Sequence, residues 1–327
     1  MKRMRRVALP IILILFGFVL GVQQARAESW PSAPIRLINP LAAGSAPDIL
    51  CRLIAEQLGR ALRQQVIVDN RPGAANILAT QAAARAAPDG QTLFFATSLA
   101  LAVNPHTFKT LPYDPEKDFL PIGMIGRAPF FVVVNSSISA NSLGEVIELD
   151  KAKPNQLAVA TDGPKNSSGM LAAWLNKRAG IELLQVPYPS MAQGVQDVIA
   201  GRVQLAVLAG PIARPLIEQG RVRPLAVSSL QRLTVYPQVS TIAERLPGFE
   251  FIGWFILAAP MGTPPNIVDR LNRELDLILK QPELAARFAE LGIYNDGADT
   301  PEGTRNFVRA QRSLWGEVVR TIGLAPE

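Results

Sequence analysis

The chain has 327 residues, of which 33 are lysine or arginine and 27 are aspartate or glutamate, with one cysteine and one histidine. The single cysteine excludes an internal disulfide, and the single histidine excludes a metal site built from several histidines. A chain of this length usually folds as two domains.

The first segment has the order of a secretory signal peptide. Four basic residues within the first six precede an apolar run at 7–22, and Ala25-Arg26-Ala27 follows. A membrane anchor is the alternative, but a spanning helix needs about 20 apolar residues, and this run is shorter. The pattern therefore predicts cleavage after Ala27, export to the periplasm, and no direct membrane anchor after cleavage.

Cleavage changes what the charge indicates. Residues 1–27 contain five basic residues and no acidic one, so their removal leaves 28 basic against 27 acidic residues. The basic excess that would suggest nucleic acid or an anionic membrane thus belongs mostly to the export signal. No nucleic-acid partner is expected.

Beyond the signal, apolar patterns alternate between strand and helix. The first series has strands at 35–38, 66–68 and 93–96 and helices at 47–62 and 74–86. The second has strands at 131–134, 157–160, 185–186, 204–208 and 225–227 and helices at 142–151, 168–179, 191–200 and 212–219. The chain closes with a strand at 254–258 and helices at 265–280, 282–291 and 301–322. This alternation predicts an α/β fold with two parallel sheets covered by helices.

Capping patterns mark several predicted helix starts. Three serines precede an acidic or amide residue by three positions, in Ser45-x-x-Asp48, Ser142-x-x-Glu145 and Ser190-x-x-Gln193. Such a pair lets each side chain bond to the other residue's backbone N–H. Thr300 followed by Pro301 matches the preference for proline in the first helical position.

One candidate site is the segment from Asn39 to Asp48, which joins the first strand to the first helix. Its candidate ligand-binding residues are Ala42, Ala43, Gly44, Ser45 and Asp48. The small side chains leave backbone N–H groups accessible, and the helix start adds partial positive charge, which suits an anion. An ordinary capped turn between strand and helix is an equally good interpretation.

A second segment, at 161–169, repeats this pattern in the second half of the chain. Its candidates are Thr161, Asn166, Ser167 and Ser168. Since open α/β sheets bind ligands at the carboxyl ends of their strands, Thr97, Ser98 and Tyr188 are expected to line the same region. Tyr188 could stack on or bond to the ligand, or it could pack in the core.

Catalysis is poorly supported by the sequence. A serine or cysteine nucleophile would have to use His106, and neither a Gly-x-Ser-x-Gly elbow nor zinc-ligand spacing occurs. A phosphate loop with a following lysine is also missing from the sequence. We therefore predict that the protein is not an enzyme and has no catalytic residue, metal or cofactor.

Many short motifs occur in order along the whole mature chain and resemble one family. They are Trp30-Pro31 to Pro34-Ile35, Pro40 to Asp48, Val68 to Gly73, Ala87 to Gly90, Leu111 to Pro115, Asp118-Phe119, Val186 to Tyr188, Gly201 to Gln204, Leu225 to Val227 and Ala259 to Pro264. Together they resemble the Bug-type periplasmic binding proteins of tripartite tricarboxylate transporters.

The resemblance implies a type II periplasmic-binding-protein fold, in which two α/β domains close on a ligand in the cleft between them. It implies a discontinuous first domain at 28–126 and 249–327 and a second at 127–248. It also implies a monomeric protein that captures a small carboxylate, held by main-chain amides and waters, and delivers it to membrane subunits of a transporter. A receptor that presents its ligand to a sensor kinase is the alternative, and a hydrolase using His106 is a rival.

The sequence departs from the family pattern where the ligand is expected. The family usually has two glycines in the first loop, whereas this chain has Gly44-Ser45, and Pro189-Ser190 replace the usual lysine and glycine after Tyr188. Gly169 stands where the family often has histidine, and Leu208 where it often has aspartate. These changes predict a less polar site and leave the ligand's identity open.

Overall fold

The computed structural model describes residues 30–164 and 166–326. The predicted signal peptide and its cleavage after Ala27 lie outside the described residues. Over these two ranges, we find no helix with both the length and the apolar character of a transmembrane span.

The described residues form nine strands and ten α-helices. The strands are β1 (Ile35–Asn39), β2 (Val66–Asn70), β3 (Thr92–Thr97), β4 (Phe119–Asn135), β5 (Ala158–Thr161), β6 (Leu184–Pro187), β7 (Leu205–Ala209), β8 (Val222–Val227) and β9 (Ile252–Pro260). The helices are α1 (Ala46–Leu62), α2 (Ile77–Ala84), α3 (Asn104–Thr107), α4 (Leu143–Ala152), α5 (Ser167–Ala179), α6 (Met191–Ile199), α7 (Gly210–Glu218), α8 (Pro265–Leu279), α9 (Pro282–Glu290) and α10 (Pro301–Thr321). Short helical turns occur at Ala74–Asn76, Leu99–Val103 and Ile242–Glu244.

The strands pair in the order β2-β1-β3-β9-β4-β7-β5-β6, and β8 pairs with β4. Strands β2, β1 and β3 are parallel, and so are β7, β5 and β6. The first part of β4 pairs antiparallel with β9, and its last residues pair antiparallel with β7 and β8. The sheets are therefore mixed rather than wholly parallel, and one continuous strand runs through both.

Helices cover both faces of these sheets, so apolar residues of the strands are buried on each side. Helices α1, α8 and α9 pack on one face of the first sheet, and α2 and α10 pack on the other. Aromatic rings pack α5 against the segment that leads into β9. Trp174 of α5 stacks on Phe249 with ring centroids 4.1 Å apart. Phe251 also contacts Trp315 of α10, at 4.6 Å between centroids.

Strand β4 is far longer than predicted, since only 131–134 was expected to be extended. Pro121, Gly123 and Pro129 break its apolar pattern and are typical of turns. In the structure these residues stay in the strand, which shifts register against β9 between Pro121 and Gly123 and between Met124 and Gly126. Such irregularities keep the remaining backbone groups paired with the neighbouring strand.

Two local predictions were wrong. The helix expected at 74–86 begins only at Ile77, because Ala74, Ala75 and Asn76 have left-handed φ values of 45°, 49° and 72°. The side chain of Ser190 does not cap its helix. The serine and threonine caps at Ser45, Ser142 and Thr300 are confirmed.

Candidate functional site

The carboxyl ends of the parallel strands in both sheets lie beside the same stretch of β4. Thr97, which ends β3, pairs with Phe255, and Phe255 pairs with Gly126 of β4. Four residues further along β4, Phe130 pairs with Ala209, which ends β7. At about 3.4 Å per residue, these two points lie about 14 Å apart along the strand. The two predicted loops therefore begin at the carboxyl ends of the parallel strands, on either side of residues 126–130 of β4.

In the first loop, the carboxylate of Asp48 is buried and bonded on all sides within the protein. It accepts from Asn39 Nδ2 at 2.9 Å, from Gly44 N at 2.8 Å, from Arg52 Nε at 3.0 Å and from Asn70 Nδ2 at 2.7 Å. Burial alone would raise the pKa of Asp48, but the bonds from Asn70, Gly44 and Arg52 outweigh it and lower this pKa. Asp48 thus shapes the loop instead of offering its carboxylate to a ligand.

The same bonds decide which backbone amides of this loop are available. Gly44 N–H is bonded to Asp48, and Ser45 N–H donates to the carbonyl of Ala42 at 3.2 Å. The N–H groups of Ala42 and Ala43 have no acceptor within residues 30–164 and 166–326, and both residues are exposed. Of the backbone amides predicted as donors in Ala42 to Ser45, those of Ala42 and Ala43 therefore remain available to a ligand. Gly44 supports this shape through its φ of 81°, which favours glycine.

In the second loop, Ser168 and Asp162 close a ring of hydrogen bonds. Asp162 N donates to Ser168 Oγ at 2.8 Å, and Ser168 N donates back to Asp162 Oδ1 at 3.2 Å. Asn166 Nδ2 donates to the carbonyl of Asp162 at 2.7 Å, and Asn166 N donates to the carbonyl of Gly163 at 3.1 Å. Ser168 and Asn166 thus fix the loop's shape, and their backbone amides are already used.

Some groups of the second loop have no hydrogen-bond partner in the described part of the chain. Ser167 N–H, in the first turn of α5, has no acceptor there. The hydroxyl of Thr161, at the end of β5, is fully buried and has no partner there either. Since buried polar groups are nearly always bonded, Thr161 is the predicted site residue that most clearly requires a partner.

Thr97 and Ser98 lie at the carboxyl end of β3, as predicted. Thr97 is buried, and its hydroxyl accepts from Asn76 Nδ2 at 2.9 Å and from Ala100 N at 3.2 Å. Ser98 is partly exposed, and its side chain does not cap the helical turn that follows. Of this pair, Ser98 is the residue whose side chain remains accessible.

Tyr188 lies beside the second loop, since its N–H donates to the Thr161 carbonyl at 2.8 Å. Its hydroxyl donates to Asp197 Oδ2 at 2.7 Å, and Asp197 also forms a salt bridge with Arg202. Burial, followed by the Asp197 carboxylate, raises the pKa of Tyr188. Its ring packs so closely on α6 that a Cβ at Gly194 would lie 3.0 Å from the ring. These contacts favour packing over ligand binding.

Sequence reasoning missed the left-handed turn beside Thr97. Asn76 donates to Thr97, and Asn104 Nδ2 donates to the Ala75 carbonyl at 2.9 Å and to the Tyr113 hydroxyl at 3.1 Å. The signal for this turn was Gly73 with Asn76 three residues later, since glycine and asparagine tolerate positive φ better than most residues. The turn therefore positions the end of β3.

His106 joins α3 to α10 and has the surroundings of a structural residue. Its Nε2–H donates to the carbonyl of Arg312 at 2.8 Å. Burial lowers the pKa of His106, and the nearby Arg320 and Arg312 lower it further. The folded state thus favours neutral His106, so its contribution to stability is lost as pH falls from the unfolded pKa of about 6.5 through the folded pKa.

We expect His106→Ala to leave the carboxylate binding expected from the sequence unchanged and to cost about 1 kcal/mol of stability through the lost hydrogen bond. Calorimetric titration with a series of small carboxylates and urea denaturation at pH 8 measure the two effects. A loss of solute affinity without a loss of stability would contradict this structural role.

The chain matches known proteins over most of its length. The family model described as "Tripartite tricarboxylate transporter family receptor" matches residues 50–324. A UPF0065 protein of Bordetella bronchiseptica is 36% identical, over 97% of this chain and 92% of its own length. Protein BugT of Bordetella pertussis is 33% identical, over 91% of each chain.

Solved structures with bound solutes are also similar. The R. palustris protein Rpa4515 with adipate has a TM-score of 0.74 and 31% identity, covering 91% of this chain and 100% of its own. MatC from Rhodopseudomonas palustris with bound malate has a TM-score of 0.68 and 28% identity, covering 89% of this chain and 100% of its own. The members of this family are periplasmic solute-binding receptors, not enzymes, which confirms the predicted class. The chain belongs to the tripartite tricarboxylate transporter receptor family.

Proposed function

We propose that this protein captures a small carboxylate in the periplasm and delivers it to the membrane subunits of a tripartite tricarboxylate-type transporter. One observation carries the proposal: the amides of Ala42 and Ala43 on one side and of Ser167 on the other lack acceptors among the described residues. Ala42 and Ala43 precede Ser45, the N-cap of α1, and Ser167 is the first residue of α5, so all three amides lie near a helix N-terminus, where the helix dipole adds partial positive charge. A carboxylate supplies the acceptors and the negative charge that such groups favour.

A dicarboxylate suits this arrangement best, because the donors belong to two separate loops, one between β1 and α1 and one between β5 and α5, and each loop can take one carboxylate. The solutes of two similar structures, adipate and malate, are both dicarboxylates. The guanidinium of Arg52 is already bonded to Asp48 and Asn70, which leaves the unbonded main-chain amides of the first loop as its donors to a solute. The buried hydroxyl of Thr161 supplies a further donor in the second loop.

Closure on the solute requires two domains that move about a hinge, and we assign them to 28–126 with 249–327 and to 127–248. Support comes from β4, which passes between the sheets near Gly126 to Phe130, and from β9, which begins at Ile252, three residues after Phe249, and returns the chain to the first sheet. Hinge closure around ligands is common in such receptors. Export by cleavage after Ala27 and a monomeric state complete the proposal.

The decisive test compares an acid with its amide. We expect adipate to bind at least about 100-fold more tightly than adipamide, because the amide lacks the charge and puts donors where acceptors are needed. Isothermal titration calorimetry of both compounds measures the difference. Equal affinity for the two compounds, or no binding of adipate, malate or any other mono-, di- or tricarboxylate, would refute a carboxylate receptor.

A matched pair of variants at one position tests the amide donors. Ala43→Pro removes an N–H, whereas Ala43→Ser keeps it and adds a small side chain. We expect only the proline variant to lose affinity, and circular dichroism of both proteins controls for folding.

A further inference from the structure

A basic groove lies on the first sheet, between the start of β4 and α10. This arginine groove has a volume of about 170 Å³, and its lining includes Glu116, Phe119, Met261, Arg305, Val308, Arg309 and Arg312. Phe119 is seven residues from Gly126, or about 24 Å along β4, so the groove is separate from the proposed solute site.

The groove carries more positive charge than its own carboxylate neutralises. Arg309 Nε lies 2.8 Å from Glu116 Oε1, and Arg312 Nη1 lies 3.1 Å from Glu116 Oε2, so two arginines share one acid. Arg305 has no carboxylate partner within the described ranges. Three guanidinium groups against one carboxylate give the groove a formal charge of +2.

The floor and rim of the groove add an apolar component. Phe119 and Val308 are almost fully buried beneath it, and Met261 at the rim is 42% exposed. From Arg305 to Arg312 the helix rises about 10 Å, which is longer than one carboxylate group. A small anion would reach one or two of these arginines, whereas an extended segment with several acidic residues, at about 3.4 Å per residue, would reach along all three.

We propose that the arginine groove docks an acidic segment of the transporter's membrane subunits, with one apolar side chain of that segment packed against Met261 at the rim. This inference rests on the proposed delivery function. Charge complementarity would speed the encounter with the transporter, and the apolar contact would fix the register of the bound segment.

Binding of a model segment tests this docking surface. The probe is a fluorescein-labelled Glu-Glu-Leu-Glu-Glu peptide, followed by anisotropy at 20 and 200 mM salt. We expect wild-type protein to bind it, and Arg305→Glu to bind at least about 10-fold more weakly, with a smaller salt dependence. Replacing the peptide's leucine with serine, or Met261→Ser in the protein, should weaken binding several-fold.

The matched control is Arg273→Glu, which makes the same charge change at an exposed arginine of α8. It should bind the peptide as wild type does, and Arg305→Gln should lie between wild type and Arg305→Glu. Equal binding by wild type and Arg305→Glu, or no binding by wild type, would overturn the docking surface. So would citrate or phosphate binding in the groove while the peptide does not bind.

Adipate titration of the same samples separates the two proposals. Arg305→Glu should retain wild-type affinity for adipate, because the groove lies away from the solute loops. If wild type binds no carboxylate but binds the peptide, the proposed function fails while the groove stands. If adipate binds normally but the peptide result is negative, only the docking surface fails.

Discussion

Replacing Asp48 with alanine is expected to destabilise the protein by about 3 kcal/mol and to abolish measurable carboxylate binding. The carboxylate is 1% exposed and accepts from Asn39, Gly44 and Asn70 as well as from Arg52. Removing it leaves several donors unsatisfied at a cost of about 1–3 kcal/mol each, partly relieved by water. The loop that presents the amides of Ala42 and Ala43 would then lose its shape.

The stability that Asp48 contributes should depend on pH, and the lowered pKa of its carboxyl sets the direction. Asp48 has a lowered pKa in the folded state, so its contribution is fully present above the unfolded value of about 3.9 and is lost as pH falls through the folded pKa. The difference in stability between wild type and Asp48→Ala should therefore shrink in acid, below about pH 4.

Urea denaturation at pH 7 and at pH 3, with adipate titration at pH 7, measures these effects. Asp69→Ala is the matched control, because Asp69 lies in β2 and its pair with Arg71 is solvent-exposed. That variant should lose less than about 1 kcal/mol. An Asp48→Ala protein as stable as Asp69→Ala would show that the loop does not depend on the buried carboxylate.

The second large effect is expected at Gly292, where the end of α9 touches the start of α7. A Cβ at Gly292 would lie 2.5 Å from Pro211 Cδ and 2.8 Å from Gly210 C, and Gly292 has a φ of 66°. Gly292→Ala should therefore cost about 3 kcal/mol, the sum of left-handed strain and overpacking. Because α7 and α9 lie on different sheets, the clash should also change how the two parts close and lower solute affinity.

Two further glycines separate the causes of this effect. Gly220→Ala carries the same φ of 66° but meets no atom within 4 Å, so it should show the backbone strain alone, about 1 kcal/mol. A Cβ at Gly210 would lie 2.8 Å from Gly292 Cα, so Gly210→Ala should show the clash without a φ in the left-handed region. Thermal denaturation of all three variants measures the costs. A Gly292→Ala protein no less stable than Gly220→Ala would disprove the close contact.

The sequence by itself determined most local structure. Apolar periodicity placed the helices and most strands, because a helix or strand buries one face whatever it packs against. Side-chain caps at Ser45, Ser142 and Thr300 followed from local chemistry alone. The family was also evident from short motifs along the chain, and the comparisons confirm it.

Only the tertiary structure decided which hydrogen-bonding groups of the predicted site residues are available to a ligand. Partners distant in sequence complete the bonds that hold the first loop, since Asn70 of β2 bonds to Asp48. The long strand β4 escaped prediction because its proline and glycine residues are tolerated only when β9 pairs beside them. Tyr188 likewise lies at the predicted edge, but its hydroxyl bonds to Asp197 on the helix packed beneath it. Local sequence fixes where a strand ends, whereas hydrogen bonds between distant segments fix which donors remain at that end.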